Sequence, residues 1–134
     1  MINNYYDFKY IKEIWSPLPS ILMIFRVIFA LIEDGDKTRI SNNLRLDWKN
    51  GILRKIEDQK KFVEALKVLG KTNLLKKKIG LGKIEIVKNF IRQNEDELSL
   101  GYLEDRLGQI GNLSYNLARL IYDVITVCEE LHAV

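Results

Sequence analysis

An all-α fold, a single compact bundle of six to seven helices over residues 1-134, is what three features of this sequence predict. Apolar residues recur every three or four positions over most of the chain. One run, Leu18 to Ile32, is apolar on nearly every side, as suits a helix wrapped by others. Apart from one ambiguous stretch at residues 37–56, nothing reads as a strand. At 134 residues the chain can bury one sizeable core and not two comfortable ones, and 47% apolar with 29% charged residues is globular usage.

The elements follow in order. Asn3 to Trp15 holds five of the chain's aromatics, Tyr5, Tyr6, Phe8, Tyr10 and Trp15, and both Tyr6, Tyr10, Ile14 and Phe8, Ile11, Trp15 fall at helical spacing. Ser16-Pro17 ends that helix, because proline restricts the residue before it and lacks an N–H, and Pro19 suits the start of the next. The helix at about Leu18 to Glu33 is either the centre of the bundle or a surface that another subunit covers; Phe25 and Phe29, with Trp15, are its candidate protein-interface side chains. Asp34-Gly35-Asp36 breaks it. Beyond that point Lys49-Asn50-Gly51 fits a hairpin turn, whereas Leu44, Trp48, Ile52 and Ile56 recur at every fourth position behind a cap at Ser41 or Asn42. Helix is the preferred reading, since an isolated hairpin is marginal. Ile52, Ile56, Phe62, Val63, Leu66 and Leu69 describe one helix face that Gly70 ends. Thr72-Asn73 caps a turn running to Gly80, and a helix after Gly82 turns Ile84, Val87 and Ile91 inward with Ile86 and Phe90. Leu100, Leu103, Leu107 and Ile110 form the next stripe, and a last helix starts from a cap at Asn112 and carries Leu113, Leu117, Leu120, Ile121, Val124, Cys128 and Leu131.

Charge is divided unevenly along this pattern. Lys37 to Arg92 carries sixteen Lys/Arg against five Asp/Glu, while Glu95 to Val134 carries two against eight. Such an asymmetry speaks of partners, and a basic middle suits a polyanion. Arg45, Lys49, Arg54, Lys55, Lys60, Lys61, Lys67, Lys71, Lys76, Lys77, Lys78, Lys83, Lys88 and Arg92 lie outside the apolar positions. Lys60, Lys67 and Lys71 share one helix flank, and a phosphate backbone neutralised there would release counterions and gain sequence-independent affinity. The candidate nucleic-acid contacts are these cations with the exceptions of Lys55 and Arg92. Local pairs Glu57 to Lys61 and Glu64 to Lys67 offer the blander alternative of a solvated lysine face. Trp48, between Arg45 and Lys49, is a candidate stacking ring for unpaired bases, with packing against Ile52 as its competitor.

Other chemistries find little. Leu74 to Phe90 has the outline of a helix-turn-helix, with Leu75, Ile79, Leu81, Ile86 and Phe90 inward and Gly80 at the turn. Lys76 stands where that motif packs a small residue, and its reading helix lacks Arg, Asn or Gln at base-edge positions. Glu33, Asp34 and Asp36 sit where a helix dipole disfavours anions, which a turn and cap explain better than a cation site. His132 has no second group to make it a base or ligand, and Cys128 falls on an apolar stripe. We therefore expect no enzyme, no metal and no cofactor. A lone cysteine, and Tyr5, Tyr6 and Asp7 in place of a leader, point to a cytoplasmic, reducing setting; an apolar run of about 15 residues is short of a membrane span.

In size, helix pattern and its Lys/Arg stripe across about half the chain, the sequence resembles the small helical subunits that line the nucleic-acid groove of CRISPR effector complexes. The resemblance implies a non-catalytic subunit of a ribonucleoprotein assembly, several copies per complex, and backbone contact with RNA or single-stranded DNA by residues such as Lys60, Lys67 and Lys77. A DNA-binding regulator built on Leu74–Phe90 and a protein-binding inhibitor are the competing classes.

Overall fold

The computed structural model describes residues 5–76 and 79–133, with side chains from Phe8 onward. Among the described residues every regular element is helical, and ten α-helices are distinct: α1 (Tyr5–Glu13), α2 (Pro19–Ile32), α3 (Lys37–Asn43), α4 (Leu53–Lys55), α5 (Gln59–Leu66), α6 (Lys71–Lys76), α7 (Leu81–Gln93), α8 (Glu95–Leu98), α9 (Leu100–Asp105) and α10 (Leu107–His132). Six or seven helices therefore undercounts them. The excess comes from stripes that the sequence presents as continuous and that short capped turns divide.

The 37–56 stretch is helical, yet it is not one helix. Asp36 starts α3 by accepting a hydrogen bond from the Arg39 N–H at 3.0 Å, and Asp47 accepts from the Asn50 N–H at 2.8 Å to start a π-helical turn, Trp48–Ile52, that runs into α4. These two aspartates take the capping role expected of Ser41 or Asn42, because each precedes its helix in extended backbone with its carboxylate over the first free N–H groups. Asn50-Gly51 lies inside the π turn, not at a hairpin corner. Asp58 likewise caps α5, through the Lys61 N–H at 3.1 Å. Gly70 ends the 3-10 turn Lys67–Leu69, where a helix stop was expected.

Helix α2 is the axis. Pro19 sits in its first turn behind an extended Leu18, nine of its residues are buried, and it packs against α3, α7, α8 and α10. Around it the rings interlock: Phe8 meets Phe62 edge-on at 5.7 Å, Phe25 meets Trp48 edge-on at 5.8 Å, and Phe29 lies 5.4 Å from Phe62. This corrects the interface reading of Phe25 and Phe29. At 0% and 4% exposure both rings are core, since the wrapping an all-apolar helix needs comes from the chain's own helices.

Polar ties hold the packing in register. Arg26, the one charge inside α2, donates from Nε to the Leu46 carbonyl at 2.9 Å; burial lowers its pKa, and Asp47 opposes that shift. Ser20 donates to Glu97 at 3.0 Å, fastening the acidic first turn of α8 to the start of α2. Tyr122 donates to the Leu98 carbonyl at 2.7 Å, and burial, with Glu95 acting the same way, raises its phenol pKa. Within α10, Gly111 adopts φ 85 and ψ 160, a backbone that glycine alone takes readily, so the final long run begins at Asn112.

Candidate nucleic-acid interface

The cations singled out above do not form one wall; helix breaks distribute them. Lys77 and Lys78 lie outside the described residues. Four others have engagements within the chain. Lys49 sets its Nζ 4.4 Å from the centre of the Trp15 ring, and Lys67 pairs with Glu64 at 2.9 Å. Lys83 donates to the carbonyls of Leu31 and Glu33 at 3.2 and 2.9 Å, closing the C-terminal end of α2 as a helix dipole favours. Lys88 pairs with Glu129 of α10 at 2.6 Å, so here the acidic half does hold a basic residue of the middle.

Arg45, Arg54, Lys60, Lys61, Lys71 and Lys76 are exposed, and no ion pair joins them to an acid among the described residues. Three of these meet in one place. Arg54, Lys60 and Lys61 line a groove of about 860 Å³ between the end of α2 and the α4–α5 segment, floored by Phe29, Ile32 and Phe62. Its acids are Glu33, Glu57 and Asp58. Asp58 is spent on the α5 cap, and Glu33 holds Lys55 as well as the Asn43 amide at 3.3 Å. Lys55 in turn stands 5.5 Å over the Phe29 ring. The groove thus presents three exposed cations at its rim, while two of its three carboxylates, those of Glu33 and Asp58, are engaged within the chain.

The single flank expected of Lys60, Lys67 and Lys71 is divided, for Lys60 lies in α5, Lys67 in the 3-10 turn after it and Lys71 in α6; Lys60 and Lys67 both act on Glu64. Hydrogen bonding and charge from Lys67 lower the Glu64 pKa against an opposing desolvation, and the charge of Lys60 adds a lesser lowering. The Glu64 to Lys67 pair expected from the sequence is present. Lys71, by contrast, faces the acidic helix across a smaller groove with Asp123 and Glu130, and Arg45 stands among Ser41, Asn89, Gln93 and Asn94. Lys76 belongs to a third surface, with Lys37 and Lys83.

The aromatic roles exchange. Trp48 is 5% exposed and donates from Nε1 to the Ile14 carbonyl at 3.2 Å, so it packs and does not offer a stacking face. Trp15, 82% exposed beyond the end of α1, is the ring that meets Lys49. The register of Leu74–Phe90 also differs from the helix-turn-helix pattern. Leu75 and Leu81 point outward at 56% and 49% exposure, while Leu74, Ile84 and Val87 are buried against the bundle.

Glu33 is the residue that sequence reasoning undervalued. Its position against the dipole of α2 was the signal, and the cations it gathers are the chain's own: Lys55, and Arg39 at 3.7 Å. His132 has a structural partner too, its Nε2 lying 2.7 Å from the Ile79 carbonyl. Cys128 is fully buried, and burial raises its thiol pKa against a smaller lowering by the Ile79 backbone. Among the described residues no group of three or more His, Cys, Asp or Glu could hold a metal ion, and no helix is long and apolar enough to cross a membrane. Comparison with known families, characterised proteins and solved structures finds no match.

Proposed function

We propose that this chain is a non-catalytic, largely sequence-independent nucleic-acid-binding subunit of a cytoplasmic ribonucleoprotein assembly, of the kind to which the small helical subunits of CRISPR effector complexes belong. The observation that carries this reading is the groove rimmed by Arg54, Lys60 and Lys61, exposed and in no ion pair among the described residues. A group of exposed cations over an apolar floor favours a phosphate backbone, which such charges bind without regard to base sequence. RNA or single-stranded DNA is the preferred ligand. Lys67 continues the same stretch of chain beyond α5, and the exposed Trp15 is a contact for neighbouring protein subunits.

Gel-shift titration with random-sequence single-stranded RNA tests it. Binding that weakens steeply between low and physiological salt, and that is abolished in the triple variant R54E/K60E/K61E with helical content unchanged, is the expected result. The same affinity in the variant, or none at low salt for the parent chain, overturns it.

A further inference from the structure

We propose that the cavity between the end of α2 and the start of α7 is a binding site for a small apolar molecule with one anionic head, such as a medium-chain carboxylate. The cavity measures about 850 Å³, within the few-hundred to one-thousand Å³ span of small-molecule pockets. Its walls are aliphatic: Leu31, Ile40, Val68, Leu69, Ile79 and Ile86 contribute to them. That chemistry takes a hydrocarbon body.

The polar groups at its edge select the head. Lys37 and Lys76 line it, both exposed and without an ion-pair partner among the described residues. Two acids, Asp34 and Asp36, share that edge with the lysines, and Asp36 has its carboxylate turned to the Arg39 N–H as the α3 cap. Lys83 adds a third ammonium, held near the cavity by the Leu31 and Glu33 carbonyls. The 13-residue α7 begins here behind Gly80, which has no side chain to cap the first turn, so its dipole adds to the field of these ammonium groups. A neutral ligand of the same shape would leave that field unused. None of Arg54, Lys60 and Lys61 lines this cavity, so the inference stands apart from the nucleic-acid reading.

Gly82 supplies a clean probe. It lines the cavity, and a Cβ placed there meets nothing within 4 Å, so Gly82→Leu fills space without a backbone clash. Calorimetric titration of the full chain with decanoate, below its micelle concentration, is the experiment. We expect saturable binding of one decanoate per chain, with affinity rising roughly fourfold for each added methylene from hexanoate upward. Decanol should bind at least tenfold more weakly than decanoate, K37A/K76A should lose about tenfold for decanoate alone, and Gly82→Leu should lose binding while keeping its helical content and thermal midpoint. The proposal is overturned by non-saturable uptake, by decanol matching decanoate, or by decanoate binding equally well to K37A/K76A. That last comparison decides the matter even where Gly82→Leu fails to fold.

Discussion

Phe62 touches Phe8, Phe25 and Phe29, tying three rings from α1 and α2 to α5. Its truncation leaves a cavity that these stiff neighbours cannot refill, so Phe62→Ala should cost about 3–5 kcal/mol in urea denaturation. Ser114 is the opposite case. Its hydroxyl is fully buried with no hydrogen-bond partner among the described residues, and Ser114→Ala should leave stability unchanged or raise it by about 1 kcal/mol, because the folded chain gives up only an unsatisfied group. Cys128, at 0% exposure and with a raised pKa, should resist thiol reagents in the native chain and react fully in denaturant. The sequence already placed Cys128 inside, since an apolar stripe passes through it. It could not reveal the His132 contact, because the Ile79 carbonyl lies 53 positions away and no local pattern encodes a side chain reaching a distant backbone oxygen.

Helix punctuation was legible where it depends on residues with special backbones. Pro19 at the start of α2, Asp34-Gly35-Asp36 after it and Gly70 after α5 stand as read. At Gly35 the requirement is also steric, for a Cβ there would come within 2.8 Å of the Arg39 Cβ. The breaks at Asp47 and Asp58 were missed for a physical reason: the apolar residues on either side keep helical spacing, and only the carboxylate caps interrupt it. Asp47→Ala should therefore cost about 1 kcal/mol as the π turn loses its N-terminal partner. At Gly111 the dihedral pair lies outside the range of side-chain-bearing residues, and Gly111→Ala should cost roughly 1–3 kcal/mol although a Cβ has open space there. Thermal denaturation of both variants checks these values.

Charge along the chain separates into a basic middle and an acidic end, and folding only partly preserves that separation. Lys88 is drawn to Glu129, Lys71 faces Asp123 and Glu130, and Lys83 closes a helix end. The candidate interface contracts from twelve scattered positions to a rim at Arg54, Lys60 and Lys61, with Lys67 nearby around Glu64. Composition could announce the excess of cations, whereas their grouping depends on where capped turns break the helices. The most direct test is the salt dependence of single-stranded RNA binding by the parent chain and by R54A/K60A/K61A. If those three side chains neutralise phosphates, the log–log slope should fall by roughly 0.7 for each cation removed, about 2 in all. An unchanged slope in the variant would contradict the account.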